Sequence, residues 1–185
     1  MKDMMDLIKI RKVEKHSEMK PTLLNLIDAE KGFKWSNGDH DTDVKYNVSK
    51  TDWEQRPSNY VDFYLTHMKE YFEEYDFVNC SQGRVHNVWF HQYHKNDFHG
   101  WHVHGGCQFA SVYYLELPNK KFATQFYDYN KHEVINVDVE EGDLVIFPSF
   151  IPHQSPKVLD DGRKTVISAN YSFEELKKFY YEFDL

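Results

Sequence analysis

Cysteine is scarce in this chain. Two residues, Cys80 and Cys107, among 185 form neither a CxxC pair nor the dense framework of a disulfide-stapled secreted domain, so both read as reduced thiols. Basic runs are missing as well. Nothing exceeds a pair such as Lys120-Lys121 or Lys177-Lys178, and the formal charge is -8, which speaks against a groove that tracks phosphates. A nucleic-acid partner is therefore not expected. No run of about 18 apolar residues occurs, and charges interrupt the apolar positions of MKDMMDLIKIRKVEK, unlike the core of a signal peptide. These absences point to a soluble, cytoplasmic protein with no membrane contact.

What is present is ample apolar material: 41% of the residues are hydrophobic and 17% aromatic, enough for one core, and the length suits one domain spanning 1–185. Leu7 to Val13 reads as a strand, and a helix runs through Leu23, Leu24, Leu26 and Ile27 until the polar stretch SNGDHDTD. After Pro57, which suits a first helical turn, Val61, Tyr64, Leu65, Met68 and Phe72 form an apolar stripe that must lie on a sheet. Beyond Cys80 the texture changes to β-branched and aromatic runs: Val85 to Tyr93, Gln108 to Leu117, Thr124 to Tyr127, Val134 to Val139, Leu144 to Phe147 and Thr165 to Tyr171. The turns NKHE, EEGD and LDDGR separate them. The expected fold is mainly β with supporting helices, a jelly roll over 85–172 braced by a helix-rich 1–84 and closed by a helix over Glu174 to Phe183.

The candidate chemistry lies in FHGWHVHGGC, residues 98 to 107. On a strand, the spacing of His102 and His104 points both imidazoles to one face, close enough to share an ion. Taken alone, an HxH pair in a chain with eleven histidines is as well explained by a polar strand end. A second stretch, GDLVIFPSFIPH, delivers His153 from a strand and a proline-bounded bend. A pair plus a distant histidine makes a three-ligand set with open positions, suited to iron, zinc, copper or nickel. Arg163 follows ten residues later with Thr165 on the next strand. A surface ion pair is the plainer reading of any one arginine, but if this strand pairs with His153 the guanidinium reaches the same cavity, and that register favours a dicarboxylic acid bound beside the metal. Tyr114, in VYYLEL, either shares that carboxylate or packs in the core.

These residues together, the HVH pair, the YYL strand, GDLVIFPS, the distal histidine and the arginine behind it, resemble the iron(II)- and 2-oxoglutarate-dependent oxygenases. The likeness is to the prolyl-hydroxylase-like branch and to oxygenases of bacteria and tailed phages, and it spans about 85–172. It implies a double-stranded β-helix and a dioxygenase that uses Fe(II), 2-oxoglutarate and O2 to hydroxylate a C–H bond of a peptide residue or small molecule, releasing succinate and CO2. Carried over by position, His102 and His153 match the two histidine ligands, Arg163 the arginine that binds the far carboxylate of 2-oxoglutarate, and Tyr114 its helper, with Thr165 beside them. His104 stands where the family has Asp or Glu. A neutral ligand there leaves more positive charge at the metal; Asp97 is the poorer substitute, seven residues away. Gln92 and Asn170, near strand ends, offer amides to co-substrate or substrate, and Trp101 and His99 neighbour the site, with a solvated loop position the simpler reading of His99. Three other readings stay open. A cupin-type metalloenzyme fits GDLVIFPSFIPH but lacks the glutamate expected after HxH, and a three-histidine zinc enzyme leaves Arg163 without a role. A metal-binding sensor or structural β-sandwich is a third.

Overall fold

The computed structural model describes residues 4–37, 45–53, 58–73 and 80–176. After a single 3-10 turn, β1 (Lys9–Lys12) leads into α1 (His16–Ala29), then β2 (Phe33–Ser36), β3 (Tyr46–Thr51), α2 (Asn59–Glu73), β4 (Cys80–Tyr93), β5 (Phe98–His102), β6 (Phe109–Glu116), β7 (Gln125–Asp128), β8 (Glu133–Asn136), β9 (Asp143–Pro148), β10 (His153–Ser155) and β11 (Lys164–Leu176). All pairings are antiparallel, in the order β1-β9-β6-β11-β4-β3-β5-β10-β7-β8, with β2 on β3. The sheet curls on itself as a double-stranded β-helix, the jelly roll expected from the spacing of short strands.

Period-two alternation assigns the two faces of the large sheet. On one, Val88, Phe90, Tyr113, Leu115, Ile146 and Ile167 meet the helices. There α1 buries Met19, Leu23 and Ile27, and α2 buries Tyr60, Tyr64, Met68 and Phe72, each a stripe at helical spacing. On the other, Ala110, Val112, Tyr114, Val145, Phe147 and Val166 face Phe126, Val137 and Ile151 inside the roll. No described helix is long and apolar enough to cross a membrane.

The strand expected over Leu7 to Val13 appears as β1, and β2 and β3 also join the sheet ahead of residue 85. One expectation changes. Residues 174–176, expected to open a final helix, continue β11 by pairing with β4; the rest of that helix, like Pro57, lies outside the described residues. Asp97, the poorer candidate for a third ligand, has its carboxylate engaged elsewhere. Its carboxylate accepts from Asn47 Nδ2 at 2.7 Å and from the backbone N–H groups of Ser49 and His94 at 2.9 Å each, so it clamps the β4–β5 turn to β3. Asp97→Ala would strand three donors beside a buried position. We expect a loss of about 2–4 kcal/mol, read as a melting temperature lower by roughly 5–15 °C.

Candidate metal centre

Strand pairing builds the site. His153 and His102 are direct cross-strand partners between β10 and β5. His104 lies two residues beyond His102, past the strand end, with its N–H donated to Ser149 O at 3.0 Å. The β9–β10 bend thus holds the backbone of the HVH segment as well as delivering His153. One ring nitrogen from each of His102, His104 and His153 lies within 4.8 Å of the others.

The remaining nitrogen of each ring is already committed. His102 Nδ1 meets Gly100 O at 2.7 Å, His153 Nδ1 meets Ile151 O at 2.9 Å, and His104 Nδ1 meets Asn170 Oδ1 at 2.5 Å. A carbonyl or amide oxygen only accepts, so each Nδ1 carries the proton and each Nε2 keeps a free lone pair. Burial lowers all three proton affinities, His102 to about 4, so the rings are neutral near pH 7. Three neutral imidazoles, oriented by acceptors behind them, are a donor set fitted to a divalent transition metal.

Asn170 Oδ1 therefore orients His104, and the residue also lines the cavity. His99 is not a solvated loop residue: between β3 and β10, its ring lies 3.9 Å from that of His102 at 11°, and it lines the cavity. Trp101 points the other way, 36% exposed, edge-on to Tyr127.

Arg163 does not reach the cavity. Its Nε and Nη2 donate to Glu116 at 2.7 and 3.1 Å, and Nη1 donates to Asp28 at 3.1 Å. Thr165 Oγ1 donates to the same Glu116, and Gln92 Nε2 to the same Asp28. These residues form an outer network that ties α1 to β4, β6 and β11. The reason is parity: Arg163 and Thr165 share one side, whereas Lys164, Val166, Ser168 and Asn170 line the cavity. Tyr114 points inward, but its hydroxyl accepts from Thr124 N at 2.9 Å.

Lys164 takes the interior position expected of Arg163. It is 1% exposed, donates to Phe122 O at 2.6 Å and Ser155 Oγ at 2.8 Å, and sits 5.0 Å from the Tyr93 ring centre. Burial pushes it down to about 7. No carboxylate among the described residues pairs with it, and none lines the cavity of about 370 Å³ that holds it together with the three histidines. His91, Trp35, Tyr46, Trp53 and Trp89, which no sequence motif marks, line the same cavity.

No family model matches the sequence, and no curated relative is found. Solved structures do match. An oxidoreductase of the 2OG-Fe(II) oxygenase family from Burkholderia pseudomallei aligns at TM-score 0.69 and 12% identity, over 90% of this chain and 86% of that one. A Trichoplax adhaerens prolyl hydroxylase in complex with a hypoxia inducible factor peptide fragment aligns at 0.59 and 15%, over 89% and 83%. The fold is that of the 2OG-Fe(II) oxygenases. The epimerase SnoN, in complex with Fe3+, alpha ketoglutarate and nogalamycin RO, shares this oxygenase fold at 0.64 and 14%, over 89% and 78%. At such identities the likeness establishes architecture, and chemistry must be argued from the site.

Removing the acceptor behind one ligand tests the tautomer reading. Asn170→Ala should weaken metal binding about 10- to 100-fold in a chelator-competition titration, while His102→Ala or His153→Ala removes it.

Proposed function

We propose that the chain is an iron(II)- and 2-oxoglutarate-dependent dioxygenase that hydroxylates a C–H bond of a peptide residue or small molecule. The observation that carries this reading is Lys164: a buried amine with no carboxylate partner among the described residues, in the same cavity as a neutral three-histidine set. A buried lysine is costly unless an anion joins it. A dicarboxylate with one end at the metal and the other at Lys164 satisfies both, so Lys164 takes the role that the resemblance gave to Arg163.

His102, His104 and His153 would hold the iron through Nε2. With iron(II) bound, the site supplies O2 chemistry coupled to decarboxylation of 2-oxoglutarate, ending in succinate, CO2 and a hydroxylated product. The protein's own part is positioning. Lys164 and Ser155 orient the far carboxylate, Gly100, Ile151 and Asn170 hold the imidazoles, and the apolar walls, including Val112 and Val166, keep water from the reacting end. Peptide and small-molecule substrates both fit the fold, since the Trichoplax enzyme was solved with a peptide and SnoN with nogalamycin RO. A three-histidine zinc enzyme is the second reading, favoured by the neutral ligand set. It gives Lys164 no anion to bind.

Anaerobic addition of iron(II) and then 2-oxoglutarate should produce a weak visible charge-transfer band; iron binding without that band would contradict the proposal. Lys164→Ala should keep iron and weaken 2-oxoglutarate about 10- to 100-fold, whereas Arg163→Ala should leave both unchanged.

The pH dependence has a definite sign. Lys164 must be protonated to bind the carboxylate, and its folded value lies near 7. Binding above that pH takes up a proton, so the 2-oxoglutarate Kd should rise about tenfold per unit above pH 7. It should level off just below, where the histidines are still neutral, and calorimetry between pH 6 and 9 checks both limbs.

A further inference from the structure

Lys164 and the metal ligands account for only part of the cavity. A closed circuit of rings bounds the rest: His102 to His99 at 3.9 Å, His99 to Trp35 at 5.2 Å, Trp35 to Trp53 at 6.0 Å, Trp53 to Trp89 at 4.5 Å, Trp89 to His104 at 5.8 Å and His104 back to His102 at 5.2 Å. The circuit begins and ends on two metal ligands, so whatever it encloses lies beside the metal position. His91 touches three members, Trp35 at 5.7 Å, His99 at 5.8 Å and Trp89 at 6.3 Å. It is 4% exposed, whereas Trp35, Trp53 and His99 are half-buried, which puts His91 deep and those three nearer the rim.

His91 is also the polar group in this wall whose bonding is incomplete. Trp89 Nε1, which only donates, lies 3.0 Å from His91 Nε2. Nε2 must therefore accept, and in the neutral ring the proton sits on Nδ1. That Nδ1 is buried and has no hydrogen-bond partner among the described residues. A buried donor left unmet is a cost that folded proteins avoid unless something else meets it.

We infer that this ring-lined part of the cavity is the primary-substrate subsite, and that it takes an uncharged flat group bearing a carbonyl-type acceptor, which meets His91 Nδ1–H. The inference rests on the metal-centre reading above. Flat groups suit a wall of indole and imidazole faces. An ammonium is disfavoured because no carboxylate among the described residues lines the cavity, and a second anion is disfavoured because Lys164, the one lysine among the described lining residues, lies against Tyr93 and Tyr114 instead of the circuit.

The test uses the full chain carrying Trp101→Phe, which leaves Trp35, Trp53 and Trp89 as its only tryptophans. The protein is loaded with zinc(II) and 2-oxoglutarate, whose binding is first measured calorimetrically. Benzamide, toluene and benzylammonium are then titrated while tryptophan fluorescence is followed. Benzamide should saturate and bind at least fivefold more tightly than the other two. His91→Phe, which keeps a ring and removes the donor, should weaken benzamide about 3- to 10-fold and leave toluene and 2-oxoglutarate unchanged. Trp35→Ala, at a half-buried position, should weaken both benzamide and toluene, and circular dichroism checks that each variant folds. N-acetylphenylalaninamide against benzamide separates a peptide source of the carbonyl from a free small molecule. No saturable benzamide response, equal binding of toluene, tighter binding of benzylammonium, or a His91→Phe loss that falls on 2-oxoglutarate would overturn the inference. Failure of the metal-centre reading shows separately, as absent zinc or 2-oxoglutarate binding before any probe is added.

Discussion

Each of the three central imidazoles is held by the nitrogen that faces away from the metal position. An imidazole has two nitrogens and, when neutral, one proton; placing an acceptor against Nδ1 settles where that proton is. Gly100 O, Ile151 O and Asn170 Oδ1 do this for His102, His153 and His104. Two of those acceptors are backbone carbonyls two residues before the histidine they hold. The ligand geometry is therefore tied to the backbone of β5 and of the β9–β10 bend, and His104, beyond its strand, needs a side chain from β11 instead. Sheet order, bend and strand register all converge on this requirement.

Charge follows from the ligand set. Three neutral ligands would leave a bound divalent cation uncompensated by any described side chain, and Lys164 would add another positive charge once protonated. No acidic residue among those described lines the cavity. In a low-dielectric site such an imbalance favours an anionic guest, and the acidic residues nearby are engaged elsewhere: Glu116 and Asp28 hold Arg163 on the outer side of the sheet. The same two carboxylates that stabilise the fold outside are thus kept from cancelling the charge inside.

Much of this was legible in the sequence, and the failures are instructive. HVH, GDLVIFPSFIPH and the strand runs announced the jelly roll and the candidate ligands because alternation and turn chemistry are local signals. Arg163 was misplaced by one residue, and on a strand one residue exchanges the two faces. Asn170, already suspected of facing the site, carried the corrective signal: counting back by twos gives Ser168, Val166 and Lys164. Trp35 and Tyr46 carry no local signal because β2 and β3 are short and flank the polar stretch SNGDHDTD, and Trp53 lies in a turn just past β3. His91 and Trp89 sat inside a correctly expected strand, yet their mutual hydrogen bond depends on side-chain geometry that no spacing rule encodes.

The most direct measurement of the central claim is long-range 1H–15N NMR of the histidine rings in the zinc-loaded protein. Three imidazoles should show metal-shifted Nε2 with a protonated Nδ1, and assignment by single substitution should give His102, His104 and His153. Only two metal-shifted rings, with His104 behaving as a free imidazole, would contradict the three-histidine centre.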